Sequence, residues 1–296
     1  MPTVQFDRTV IEIAGPEAEH FLQNIVTADL DQLAGGEAKP SALLSPQGKI
    51  LFEFLISRAG EDRLRLDTIA GAADDLVRRL TLYRLRAKVD ISKQDQLLVG
   101  ATWGDESASS EIDSAAPAAG PAPARLRDTR FVQGPAVWRL YGAAIAADAP
   151  LSAWDALRVR HAVAEAAADY QPGDAFPHDV LLDQNGGVGF GKGCYVGQEV
   201  VSRMQHRGTA RRRVLAAEAD APLPPAGTPI TAAGRPVGQL GTVADRQGLA
   251  IARIDRVKDA QDGGTPLMAG DVEVRLSIPA WARFRFPDSA AGQEEA

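Results

Sequence analysis

Residues 4–13 (Val-Gln-Phe-Asp-Arg-Thr-Val-Ile-Glu-Ile) carry enough β-branched and aromatic side chains to read as a strand. Gly15-Pro16-Glu17 then opens a helix through Phe21 and Leu22, with proline in the first turn, where a missing N–H is tolerated. Two strand-like runs flank the turn signal Ser45-Pro46-Gln47-Gly48, and a third follows Ala59-Gly60-Glu61-Asp62. Between 71 and 84 the apolar Leu76, Val77, Leu80 and Tyr83 recur at helical spacing behind Asp74 and Asp75, whose charge suits a helix N-terminus. With a strand over 87–91, the order strand, helix, three strands, helix, strand predicts an α+β layer with helices on a largely antiparallel sheet.

Of the 18 residues from Ser107 to Ala124, 15 are Ala, Ser, Pro or Gly, which cannot bury enough apolar surface to order themselves and so read as a linker or loose loop. A further helix is expected from Ser152, with Trp154, Leu157, Val159, His161 and Ala162 on one face and Ala-rich sequence continuing to Ala168. After Arg213 short β-like runs at 229–231, 241–243, 249–254 and 272–278 alternate with Gly/Pro turns, the texture of a small sandwich or barrel. The small, acidic stretch from Pro287 to Ala296 reads as a disordered tail.

At 296 residues the chain is long enough for two to three ordinary domains. A net charge of -7 gives no global attraction to nucleic acid or anionic membrane, so any basic patch must be local. No uncharged apolar stretch approaches the roughly 20 residues needed to span a bilayer, and the N-terminus reaches Asp7 and Arg8 without an apolar run. The expectation is a non-secreted, cytoplasmic protein without a membrane partner. A single cysteine makes no internal disulfide and no Cys-rich metal cage, which fits a reducing cytosol.

That cysteine, Cys194, lies where chemistry is most concentrated. Six of the twelve residues from Gly186 to Gly197 are glycine, a composition that admits positive φ and close approach of a ligand to the backbone, or else an ordinary turn. Gly186 to Lys192 fits the first seven positions of a phosphate-binding P-loop, but Gly193 replaces the hydroxyl residue that holds magnesium, and 194–201 does not read as a crossover helix. Nucleotide hydrolysis is therefore set aside. Lys192, two residues before Cys194, is placed to favour a thiolate. From Val200 through Ala217 there is no acidic residue, while Arg203, His206, Arg207, Arg211, Arg212 and Arg213 concentrate positive charge. An anionic ligand or a solvated basic edge strand both account for this; RNA is disfavoured by the lack of interleaved aromatics.

Lys192-Gly193-Cys194-Tyr195-Val196-Gly197-Gln198-Glu199, with Arg203 four residues on, resembles the signature of YgfZ-type folate-binding proteins, relatives of the aminomethyltransferase (T-protein) of the glycine cleavage system and of a mitochondrial iron-sulfur cluster assembly factor. Phe21 to Leu30, Ser45 to Ile50 and Leu82 to Val89 are similar to earlier segments of that family. The resemblance implies an aminomethyltransferase-like α+β fold with a C-terminal β-barrel around a central tetrahydrofolate channel. Its parts would be residues 1–95, a middle domain over 96–150, a return to the folate-binding region over 151–210, a barrel over 211–286 and the tail.

The implied role is accessory: binding tetrahydrofolate while supporting assembly or repair of iron-sulfur clusters, with assembly or client proteins as partners. Cys194 and Lys192 would carry the chemistry, and Trp154, Tyr195, Gln198, Glu199 and Arg203 the folate, the pterin stacking on aromatic faces and its glutamate tail drawn to arginine. Two departures bear on this. The transferases carry an aspartate pair where this chain reads Gly48-Lys49-Ile50-Leu51-Phe52, and their pterin-recognising glutamate falls near Arg160. The resemblance thus implies a protein that is not a classical enzyme. The rivals are an active folate-dependent aminomethyl- or methyltransferase and a non-enzymatic client-docking module.

Overall fold

The computed structural model describes residues 1–104, 124–208 and 210–287, so the expected linker and tail fall, apart from their end residues, outside the described part. The described residues form two compact units: Met1–Leu151 with Asn185–Glu199, and Ser152–Gln184 with Val200–Ala296.

The first unit contains β1 (Thr3–Phe6), β2 (Arg8–Ala14), α1 (Ala18–Gln23), β3 (Glu37–Leu44), β4 (Ile50–Gly60), β5 (Arg63–Ile69), α2 (Ala73–Arg84), β6 (Asp90–Lys93), β7 (Leu98–Gly104), β8 (Ala124–Asp128) and β9 (Ala136–Gly142). Its nine strands form one sheet in the order β1-β7-β9-β8-β3-β4-β5-β2-β6. The single strand expected over 4–13 is two: the chain breaks at Asp7, β1 pairing with β7 and β2 with β5 and β6. The strand expected over 87–91 lies at 90–93. The segment expected as a separate middle domain, 96–150, instead supplies β7 to β9 to this same sheet.

Side-chain alternation gives the sheet two buried faces. Ile11, Ile13, Phe54, Ile56, Leu64 and Leu66 pack with α1, α2 and the 25–33 segment. Val10, Leu55, Val99, Leu126 and Tyr141 form the core of the other face. Asp67 belongs to this second face, because its cross-strand partners are Val10 and Leu55. It is fully buried and accepts hydrogen bonds from Arg8, from Arg139 Nη2 at 2.6 Å and from the Tyr141 hydroxyl at 3.1 Å. In strand order β9 and β5 stand four places apart, roughly 19 Å on a flat sheet. Their direct contact through Arg139 and Asp67 therefore requires the sheet to curl back over this face.

The second unit holds α3 (Leu151–Arg160) from Ser152 onward, most of α4 (Gln198–Arg207), β10 (Arg212–Glu218), β11 (Pro229–Ala232), β12 (Arg235–Ala244), β13 (Gln247–Arg253), α5 (Ile254–Asp262), β14 (Leu267–Ala269) and β15 (Val272–Ser277). The six strands close into a barrel, β10-β13-β12-β11-β14-β15, which resolves the sandwich-or-barrel alternative. Ile254, Val257 and Ala260 of α5 are part of the barrel's core cluster. The helix from Ser152 forms with Trp154, Leu157 and Val159 buried, but it stops at Arg160, and Ala162 and Ala167 take positive φ instead of continuing it to Ala168. The irregular segment beyond α3 is organised by Arg158, 1 % exposed, which donates to Val163 O, Asp155, Asp169 and Thr242 and faces Glu165 at 3.3 Å. Burial alone would lower its pKa; Glu165 and Asp169 outweigh burial and hold the guanidinium charged.

Burial works to raise the Asp67 carboxyl, but Arg139 and Arg8 outweigh it and hold it below its ordinary value of 3.8. Replacing it by asparagine leaves Arg139 buried without its counter-charge, and urea unfolding is expected to show a loss of about 3–5 kcal/mol near neutral pH. Because the folded value is depressed, that stabilisation is present above the unfolded pKa and lost as pH falls through the folded one. The gap between wild type and Asp67→Asn should hold down to about pH 4 and narrow below it. A gap unchanged down to about pH 2 would contradict the ion-pair assignment.

Candidate functional site

Residues 185–199 return to the first unit as a loop without regular structure up to Gln198, and that loop is stitched to the segment 26–29. Gly189 N–H donates to Thr27 O at 2.8 Å, and the Thr27 hydroxyl donates to Gly187 O at 2.7 Å. Thr27 is held in turn by β3: its N–H reaches Ala42 O, and its hydroxyl accepts from Ala42 N–H at 2.9 Å. Ser41 adds a bond from Ala28 N–H at 3.1 Å. A Cβ on Gly189 would stand 2.7 Å from Asp29 Cβ and 3.0 Å from Lys192 Cδ, so glycine there permits the close approach. Gly197, at φ +80°, is confined likewise, its added Cβ falling 2.5 Å from Ser45 O in the β3–β4 turn.

Lys192 is the centre of this stitching. It is 9 % exposed, and its ammonium donates to Val26 O at 2.8 Å and Ala28 O at 2.7 Å. The carbonyls are fixed from behind. Arg58 grips Glu19 through two bonds of 2.7 and 2.8 Å and donates to Leu33 O and Leu30 O, while Gln23 bridges the Asp29 carboxylate and Leu30 N–H. Burial brings the Lys192 pKa from 10.5 down to about 8, against the opposing pull of Asp29 and Asp31. The Tyr195 ring lies 5.2 Å from Nζ, and Tyr195 itself is buried, which pushes its hydroxyl up to about 12.

Between these two buried side chains, Cys194 is exposed, as are Gly191 and Gly193, where a Cβ would meet nothing within 4 Å. The loop thus presents its thiol outward while Lys192 and Tyr195 point inward. Two of the three donors of the Lys192 ammonium go to the Val26 and Ala28 carbonyls, which gives it an anchoring role beside the expected one of favouring the Cys194 thiolate.

Gln198 and exposed Glu199 open α4, a helix that the sequence pattern at 194–201 does not predict; Glu199 supplies the acid of its first turn. Because a turn and not a strand precedes it, the P-loop remains excluded. The basic run is divided rather than pooled. Arg203, His206 and Arg207 lie on α4, whereas Arg212 and Arg213 of β10 pair with Asp174 at 2.9 Å and Asp183 at 2.7 Å. β10 pairs with β13 from Arg212 onward and with β15 only over 216–218, and Arg213 is buried in its ion pair, so it is not a solvated edge charge. Lys192, Cys194, Tyr195, Gln198 and Glu199 share the first unit; Trp154, 2 % exposed, and exposed Arg203 belong to the second. The sequence alone does not single out Thr27, Asp29, Arg58 or Gly189 as site residues; the one signal available for the first two is the family-like run from Phe21 to Leu30.

Residues 7–108 match the GCVT N-terminal domain, and residues 211–284 the C-terminal beta-barrel domain of CAF17. The human mitochondrial iron-sulfur cluster assembly factor IBA57 is 30% identical over 301 residues, an alignment spanning 93% of this chain and 83% of the human protein. The mouse protein of that name is 28% identical, with 85% and 77% covered. Among solved structures, the glycine cleavage system aminomethyltransferase T of Bartonella henselae superposes with a TM-score of 0.72 over 96% of this chain and 87% of its own. At 16% identity that likeness establishes an aminomethyltransferase-like fold and nothing about activity.

The environment of Lys192 is directly measurable. Incorporating 13C,15N-labelled lysine and following the Lys192 side-chain signal by NMR should give a midpoint near pH 8, as against the ordinary 10.5. Since the folded value is depressed, the unfolded chain holds more protons between these limits, and stability should rise with pH across that window. A midpoint near 10.5 would mean that the ammonium reaches water.

Proposed function

The chain belongs to the IBA57 family of iron-sulfur cluster assembly factors, and from that premise we propose that its part in cluster assembly or repair is carried by the Cys194 thiol. The observation behind this is the exposure of Cys194 between two buried anchors, Lys192 and Tyr195. A cluster is held by thiolates, and one thiolate is too few. Cys194 would release its proton to solvent and supply one sulfur to iron, the partner that carries the cluster supplying the others. Fixing the loop beforehand lowers the ordering cost of that encounter. An exposed single thiol stays reduced in a cytosol-like compartment, which suits cytoplasmic action.

Tetrahydrofolate is the small ligand proposed alongside. In the first unit Tyr195 offers an aromatic ring, Gln198 an amide and Glu199 a carboxylate, groups chemically suited to a pterin's stacking and hydrogen-bonding needs. Trp154 and Arg203 of the second unit are the remaining folate candidates. Bound folate would bring one-carbon carrier chemistry, but the stretch Gly48–Phe52 has Lys49 as its only ionisable side chain, so no acid stands there for a transfer step. Aminomethyl transfer is accordingly not proposed. The purely client-docking alternative differs only in lacking folate.

Two measurements separate these readings. In cells lacking the gene, activity of cluster-dependent enzymes should return with the wild-type chain and stay at the deletion level with Cys194→Ser; full recovery with serine would end the thiol assignment. In a thermal-shift titration, reduced tetrahydrofolate at 100 times its Kd should add about 2.7 kcal/mol of stability. Tyr195→Ala and Trp154→Ala should each weaken the shift. No shift at any concentration would leave the docking role alone standing.

A further inference from the structure

The C-terminal end of α2 carries a feature that neither the cluster-assembly role nor the fold accounts for. α2 buries Ala73, Leu76 and Leu80. Leu82 lies off that face and is 70% exposed, and Leu85, just past the helix, is 87% exposed. Leu85 also adopts φ 47°, ψ −103°, a left-handed conformation that L-residues avoid and that glycine would take at little cost. The chain thus keeps a large apolar side chain in water and in a strained backbone at one position.

Along the chain the surrounding charge is positive, although the Glu17 carboxylate accepts from the Lys88 N–H at 2.7 Å. From Arg78 to Val89 there is no acidic residue, in a chain whose net charge is -7. Arg78 pairs with Asp75. Among the described residues Arg79, Arg84, Arg86 and Lys88 have no ion-pair partner. A cation in the last helical turn complements the helix dipole and accounts for Arg84, but neither the dipole nor packing accounts for Leu82, Leu85, Arg86 and Lys88. An apolar centre with a charged rim is the anatomy of a protein-binding patch.

We propose that Leu82 and Leu85, with the cations around them, form a docking knob for an acidic protein segment that carries apolar side chains. Leucines fill the partner's apolar contacts, and the arginines and Lys88 meet its carboxylates. A protein partner is favoured over an anionic membrane because the rest of the chain is acidic and two leucines insert little apolar surface.

The test uses the full chain and a display library of random twelve-residue peptides, counter-selected on Leu85→Asp. Enriched peptides should combine Asp or Glu with Leu, Ile or Phe. By fluorescence anisotropy, Leu85→Gly and Arg86→Glu should each weaken the best peptide about tenfold or more. Leu85→Gly should leave thermal stability unchanged or raised, because it removes strain and no buried contact; a lowered melting temperature would show that Leu85 serves packing and overturn the proposal. Neutral or basic consensus peptides, no enrichment, or equal binding to the variants would overturn it too. So would Leu85-dependent sedimentation with vesicles of equal phosphatidylcholine and phosphatidylglycerol, or Leu85-dependent self-association in analytical ultracentrifugation. None of these outcomes depends on Cys194, so failure here leaves the cluster-assembly reading untouched.

Discussion

Burying the Lys192 ammonium against two backbone carbonyls is the constraint on which the candidate site depends. A buried cation is costly unless its protons are accepted, so Val26 O and Ala28 O must be held in place, and the first unit is built to do that. Arg58 ties the 30–33 stretch to α1, Gln23 ties Asp29 to Leu30, and β3 holds Thr27 through Ala42 and Ser41. Given those fixed acceptors, a lysine arriving from 164 residues further along the chain than Ala28 can be seated only with glycine at 189, where any side chain would strike Asp29. Seating Lys192 and Tyr195 inward then leaves Cys194 outward. The position of the thiol is a consequence of its neighbours' burial, and no direct interaction of the sulfur is needed to produce it.

The same logic operates in the scaffold. Asp67 with Arg139, and Arg158 with Asp169 and Glu165, are charges buried in their respective units, each held by groups from separate elements. Such pairs add little net stability compared with apolar packing, but a misplaced register leaves them unsatisfied at high cost. They select one arrangement: the curled sheet in the first unit, and in the second the turn that ends α3 at Arg160 and brings Asp169 to Thr242 N–H at 2.7 Å.

Much of this is legible in the sequence because it is written in local pattern. The hairpin turn at Ser45–Gly48, the amphipathic run that forms α2 and the Gly/Pro-punctuated strands of the barrel all depend on near neighbours. The Lys192–Glu199 motif and the segments around it carry the family. What is illegible depends on distant partners. Nothing within 4–13 shows that one half pairs with β7 and the other with β5. Arg139 and Arg158 look like surface charges until their counter-ions arrive from other elements. α4 escapes the pattern because glycines lead up to it and only Val201 of its residues is buried, so its apolar stripe is too thin to register. The anchoring of Lys192 is hidden because its partners are backbone carbonyls, which no side-chain pattern encodes. The glycine at 189 is visible in the loop's composition, but its reason, room beside Asp29, is a fact of three dimensions.

The anchoring role of Lys192 is tested most directly by hydrogen–deuterium exchange across residues 186–195, comparing wild type with Lys192→Met, which keeps the apolar stem and removes the donors. The account predicts that the Gly189 amide is protected in wild type and exchanges rapidly in the variant, while the β5 amides from Arg63 to Ile69 are equally protected in both. Unchanged protection of Gly189 in Lys192→Met would contradict it, and would mean that the loop holds Cys194 in place without the buried ammonium.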